Sequence, residues 1–145
     1  MSDLDKILLT SSLTICGGVL ILVIGQVLMK LFIEPLFAVR SLISDIADNL
    51  VFYAHLYANP GTDSPELRQE AKNVLRQKAS HLRARAHVLP LYTLFALIRL
   101  IPPRKSVTQA SGDLIGLSNG IFDGNPSVNH ERQKAIRSAL SLPND

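Results

Sequence analysis

"ILLTSSLTICGGVLILVIGQVLM", residues 7–29, runs for 23 residues without a formal charge. As an α-helix it would be about 34 Å long, against a membrane hydrocarbon layer of about 30 Å. The stretch predicts a helix that crosses a membrane, with residues 7–33 as the spanning element. A cleaved signal peptide would have a basic start and an apolar core of about 7–15 residues. Here Met1-Ser2-Asp3-Leu4-Asp5-Lys6 is acidic on balance and the apolar run is longer. Residues 1–6 therefore read as a short exposed terminus before an uncleaved anchor.

The bulk composition agrees with that reading. Of the 145 residues 47% are hydrophobic and 19% charged, where soluble domains carry about 25% charged residues. The single cysteine, Cys16, excludes an intramolecular disulfide and fits a reducing compartment or a lipid-buried thiol. Asn125-Pro126-Ser127 has the outline of a glycosylation acceptor, but its proline blocks it.

Only Lys6 precedes the span, whereas Lys30, Arg40 and many further bases follow it. The positive-inside tendency then places the amino terminus outside and the remainder in the cytoplasm. Within the span, Ser11, Gly18 and Gly25 recur every seven residues on one face. Small residues let membrane helices approach closely, so this face is a candidate for helix–helix packing.

Beyond the span every periodic segment is helical. Pro35 should kink or end the first helix. Leu36, Val39, Ile43, Ile46, Leu50, Tyr53 and Tyr57 share one stripe of a helix reaching about Ala58. Ser41, Ser44, Asp45, Asp48 and His55 take its other side. Asn59-Pro60-Gly61 breaks it. Ser64 as cap and Pro65 at the first position open a helix to Val88. Its apolar arc holds Leu67, Ala71, Val74, Leu75, Leu82 and Leu89, and Lys78 and Arg85 fall inside that arc. Both must snorkel, pair with an acid or meet a charged ligand.

Pro90 can start a further helix, which Pro102-Pro103 must stop. Ser106-Val107-Thr108-Gln109 matches a capping box. Val107, Ala110, Leu114, Leu117 and Ile121 form the stripe of the helix it would open. The opposite face carries Gly112, Gly116 and Gly120 at intervals of four, which points to a closely packed partner; Gly112 and Gly116 are the packing candidates. A short helix over about 128–140 and a polar tail complete the chain. The expected fold is all-α: one N-terminal transmembrane helix, then a small cytoplasmic helical bundle. The domain reading is 7–33 for the span, 36–122 for the helical domain and 123–145 for the last helix and tail.

Residues 81–105, "HLRARAHVLPLYTLFALIRLIPPRK", pose the one topological question. The apolar core from Val88 to Ile101 is 14 residues and contains Arg99, too short for a second span of about 20. Crossing would also put one of its flanking basic clusters outside. The segment therefore stays on the cytoplasmic side, as bundle core or as an interfacial dip into the inner leaflet.

The charge distribution goes further. No acid lies between Glu70 and Asp113, while eight bases do. A cationic surface beside a membrane meets anionic headgroups, each base contributing about 1 kcal/mol within a Debye length. Arg76, Lys78, Arg83, Arg85, Arg99, Arg104 and Lys105 are the candidates for contacts with anionic phospholipid headgroups. Nucleic acid is set aside, because no nucleic-acid motif is present and aromatics do not interleave with the bases.

Catalytic signatures are missing from the sequence. His55, His81, His87 and His130 lack metal-site spacing, and there is no His-Glu-x-x-His, phosphate-cradling glycine loop or Gly-x-Ser-x-Gly. No catalytic residue, metal ligand or cofactor is expected, and the chain reads as a non-enzyme.

"LFIEPLFAVRSLISDIADNLVFYAHLYANP", residues 31–60, and "LRARAHVLPLYTLFALIRLIPPRKSVTQASGDLIGLSN", residues 82–119, resemble a group of small, uncharacterised bacterial membrane proteins. The likeness covers about residues 27–120. It implies one amino-terminal span, a cytoplasmic helical domain and a bacterial inner-membrane location, and it transfers no functional residue. The function expected is a membrane-anchored interaction or scaffold protein. Its cationic domain contacts the anionic inner leaflet and a protein partner. The alternative is an accessory subunit or small oligomeric assembly formed through the transmembrane helix.

Overall fold

A computed structural model of the chain describes residues 3–143. Among them every regular element is helical. The elements are α1 (Asp3–Leu28), a π turn (Met29–Ile33), α2 (Glu34–Phe52), α3 (Ala54–Ala58), α4 (Pro65–Val88), α5 (Tyr92–Leu97), α6 (Arg104–Asp123) and α7 (Pro126–Ala139). The chain divides into two compact units, one ending at Pro35 and one beginning at Leu36.

The first unit is α1 and the π turn. No residue of α1 is buried against protein, and the helix is long and apolar enough to cross a membrane. The expected exposed terminus, residues 1–6, lies partly outside the described residues; Asp3–Lys6 already belong to α1. Pro35 does not end the helix, because helical backbone continues through it to Phe52. The reason lies in the π turn just before it. The Glu34 N–H donates to Met29 O, five residues back, and shifts the ladder where proline has no N–H to give.

The second unit packs α2 to α7 around one apolar core. All seven residues of the stripe from Leu36 to Tyr57 are buried, joined by Leu42 and Leu56. The helix itself is interrupted at Tyr53, so α3 can turn inward. The buried Tyr57 hydroxyl donates back to Leu50 O, and burial pushes its pKa up to about 12, so it stays a donor. Ser64 caps α4 as expected, its hydroxyl accepting from Leu67 N. Gly61, at φ 81, makes the turn before it and donates to Ile121 O at 3.2 Å, a left-handed geometry that suits glycine.

Three contacts set α4 antiparallel to α2. Tyr53 donates to Glu70 at 3.3 Å, Lys78 pairs with Asp45 at 2.8 Å, and Arg85 Nη1 donates to Ala38 O at 2.6 Å. The two bases that fell in the apolar arc are thus held by α2. The carboxyl end of α4 consequently lies at the end of the unit where the chain enters at Leu36.

Small side chains bring α4 and α6 close together. Ala71, Ala79 and Ala110 are buried there, and the buried Ser111 hydroxyl donates to Ala79 O at 3.0 Å. α6 starts at Arg104, two residues before the expected cap, and no side chain caps it. Pro103, extended at ψ 151, already supplies the stop and the entry angle. α7 likewise starts early, with Asn125 accepting from Ser127 N and Pro126 in its first turn. Ile136 and Leu140 then insert into the core, so the last helix belongs to the same unit as α2 to α6. Residues 144–145 of the tail lie outside the described residues.

Asp113 on α6 is half-buried, and its Oδ2 has no hydrogen-bond partner. Burial raises its pKa above the ordinary value, opposed by Arg132. A raised folded-state pKa favours the protonated carboxyl, so this group's contribution is full below the unfolded value of about 3.9 and is lost as pH rises through the folded one. Asp113→Asn should therefore raise the unfolding midpoint at neutral pH, and the gain should shrink on acidification. Unfolding of the full chain in mild detergent at both pH values checks this; an unchanged midpoint at neutral pH refutes it.

Candidate functional site

The seven basic candidates separate into three groups. Lys78 and Arg85 face α2 and serve as struts through the contacts above. Arg76, Arg83 and Arg104 line the seam between α4 and α6. Arg99 stands at the far end of α5, and Lys105 is exposed on the first turn of α6.

Two adjoining grooves run along that seam. One, of about 640 Å³, is lined by Ser80, Arg83, His87, Val88, Arg104 and Thr108 among others. The next, of about 370 Å³, is lined by Arg76, Ser80, Arg83, Ser111 and Ile115. Ser80 and Arg83 belong to both. Arg76, Ser80, Arg83 and His87 recur every three or four residues of α4, which is one helical stripe. No acid lines either groove among the described residues, because the sequence holds none between Glu70 and Asp113. Forked guanidinium donors beside hydroxyls match the oxygens of a phosphate. Two arginines are partly engaged. Arg76 donates to Asn119 at 3.1 Å, and Arg104 stacks over the Tyr92 ring at 4.5 Å.

Val88 connects this seam to an apolar surface. The segment after α4 is neither a long helix nor buried core. Leu89, Tyr92 and Ile101 anchor it inward, while Val88, Leu91, Leu94, Leu97, Ile98 and Leu100 are exposed, Leu97 at 78% and Val88 at 75%. The Tyr92 hydroxyl donates to Pro102 O at 2.6 Å and ties the two ends of the segment together. Burial raises the Tyr92 pKa against the opposing Arg104 charge, so the donor persists at neutral pH. The helix expected from Pro90 to Pro102 is cut to the six residues of α5. Leu91 and Arg99, at φ 51 and φ 60, turn the backbone left-handed at its two ends. Neither is glycine, so no local signal announced these turns.

Contiguous exposed apolar side chains mark a membrane or protein contact. Val88 stands in the cationic seam, and Leu97 and Leu100 reach the groove that Arg40 and Ile43 of α2 also line.

The packing candidates divide as well. Gly18 and Gly25 have nothing within 4 Å of a would-be Cβ, and Gly112 likewise faces open space. Ser11 is exposed on α1. At Gly116 the Arg132 side chain lies across the helix, its Nε 2.8 Å from where a Cβ would stand. Arg132 also donates to Gly116 O at 2.9 Å. Gly120 receives the carboxamide of Asn129. The sequence reading missed Asn129. It is buried, and its Nδ2 donates to Tyr57 O at 3.0 Å and to Gly120 O at 2.9 Å. A lone asparagine on a short polar helix carries no pattern that would single it out.

Among the described residues no group of three or more His, Cys, Asp or Glu comes together. Asp45, one of the two carboxylates on the polar face of α2, is the partner of Lys78. Comparison with protein-family models finds no match, and neither curated proteins nor solved structures give one.

Proposed function

We propose that this chain is a single-span membrane protein whose second unit rests on an anionic leaflet and presents its remaining surface to a protein partner. The proposed setting is a bacterial inner membrane, with the amino terminus outside and the second unit in the cytoplasm. The distribution of Lys and Arg around the span supports that orientation.

One observation carries the reading: six large apolar side chains of residues 88–100 stand in solvent, and the first of them, Val88, lines the acid-free arginine seam. Full burial of one such side chain is worth about 1.5–3 kcal/mol, and each base near an anionic surface adds about 1 kcal/mol. Residue 36 directly follows the anchor, so the leaflet is always at high effective concentration for this end of the unit.

The chain has no tryptophan, so Leu94→Trp, at an exposed leucine of α5, is a single reporter. In nanodiscs carrying brominated lipid, the full-length variant should show blue-shifted, strongly quenched emission in anionic bilayers. Emission should be less quenched in zwitterionic ones, and added salt should reduce the anionic signal. Emission at the wavelength of exposed tryptophan, with no quenching in either bilayer, would rule the leaflet contact out.

A further inference from the structure

A third groove, of about 820 Å³, lies between α2, the end of α5 and the end of α7 and shares no lining residue with the seam. Ile43, Leu97, Leu100 and Leu142 give it apolar walls, and Arg40 and Arg99 give it two cations. Both arginines are exposed, and neither is paired with an acid among the described residues. None of the described lining residues is acidic.

Two helix ends build this groove, and both are unusual in the same way. At the end of α5, Arg99 N donates to Ala96 O at 3.1 Å and Leu100 N to Phe95 O at 3.0 Å. At the end of α7, Ser141 N donates to Ser138 O at 3.2 Å and Leu142 N to Arg137 O at 2.9 Å. Each is the double-bonded helix stop whose left-handed residue is usually glycine. Here those residues are Arg99, at φ 60, and Ser141, at φ 57. A side chain in that conformation is strained, and strain of this kind collects at sites that use it. Stability alone favours glycine at residue 99; a charge aimed at the groove favours arginine.

We propose that this groove binds one molecule of an anionic acyl lipid, its phosphate held between Arg40 and Arg99 and an acyl chain lying along Leu97, Leu100 and Leu142. Opposite charge selects the head, and the apolar walls select the chain. The site would hold a single lipid out of the leaflet, in addition to the general surface contact proposed above. It draws on that reading only for the source of lipid.

Native mass spectrometry of the full chain, released from uncharged detergent with equal trace amounts of phosphatidylglycerol and phosphatidylcholine, tests the assignment. The wild-type chain should retain one phosphatidylglycerol and little phosphatidylcholine, and added inorganic phosphate should not displace the lipid. Arg99→Gly should reduce the retained fraction about tenfold, as expected for loss of a charge-assisted bond, while raising the melting temperature by about 4 °C. Arg40→Ala should reduce retention without the stabilisation. Equal retention by either arginine variant would overturn the proposal, as would equal retention of both lipids or displacement by phosphate alone. A lower melting temperature for Arg99→Gly would remove the strain argument and overturn it too. If lipid is retained while the Leu94→Trp reporter, which lies outside the groove lining, stays unquenched in nanodiscs, the groove stands and the leaflet contact falls.

Discussion

Gly120→Ala is expected to destabilise the second unit by about 1–5 kcal/mol, whereas the same change at Gly112 should stabilise it. A methyl group on Gly120 would occupy the space of the Asn129 carboxamide. Asn129 is buried between α3, α6 and α7 and cannot swing into solvent without moving α7. Displacing it leaves Tyr57 O, at the end of α3, without its donor, and a buried unsatisfied group costs about 1–3 kcal/mol. Overpacking a tight contact adds about 1–3 kcal/mol. Against this stands a gain of about 1 kcal/mol from replacing a helical glycine by alanine. At Gly112 that gain acts alone, because nothing lies within 4 Å. At Gly116 the obstacle is the far end of Arg132, which can give way, so the two effects should nearly cancel. Thermal unfolding of the three full-length variants in mild detergent, followed by circular dichroism, gives the order directly. Equal shifts at all three positions would refute the role assigned to Asn129.

Leu94→Asp combined with Leu97→Asp should release the second unit from an anionic bilayer. Both leucines project from α5 into solvent, so the folded unit loses little of its own packing. Each contributes about 1.5–3 kcal/mol when fully taken up by an apolar layer. Removing two lowers the surface-bound population by about two orders of magnitude or more, and the new carboxylates are repelled by anionic headgroups. Replacing Arg83 and Lys105 by glutamine should have a smaller effect, at about 1 kcal/mol per base. A spin label near residue 91, read by its depth in nanodiscs of full-length protein, separates the cases. An unchanged depth in the double aspartate variant, with the unit still folded, would show that α5 does not enter the leaflet.

Much of the second unit is legible in one dimension. Where residues repeat every three or four positions, burial follows. The stripe from Leu36 to Tyr57 and that from Val107 to Ile121 lie in the core as periodicity predicts. Ser64-Pro65 opens α4 where cap chemistry says it should. The same local logic fails where the backbone does something its residues do not announce. Leu91 and Arg99 adopt left-handed turns without glycine, so a segment that reads as one continuous apolar helix becomes six helical residues with an exposed apolar face. Pro35 reads as a kink or an end of the first helix, and helical backbone runs past it behind a π turn.

The charge pattern shows the same division. An acid-free run with eight bases is a property of the linear chain, and so is the run of 23 residues without a charge that marks the first helix. Which bases share a surface is not. Lys78 and Arg85 end as struts to α2, Arg76, Arg83 and Arg104 meet along the seam of α4 and α6, and Arg99 turns to a separate groove beside Arg40. Periodicity and length are local quantities, and burial and apolar span follow from them. The partner of each charge depends on which helices lie side by side, and that is set by small side chains, a buried asparagine and the left-handed turns at Leu91, Arg99 and Ser141 acting across the fold.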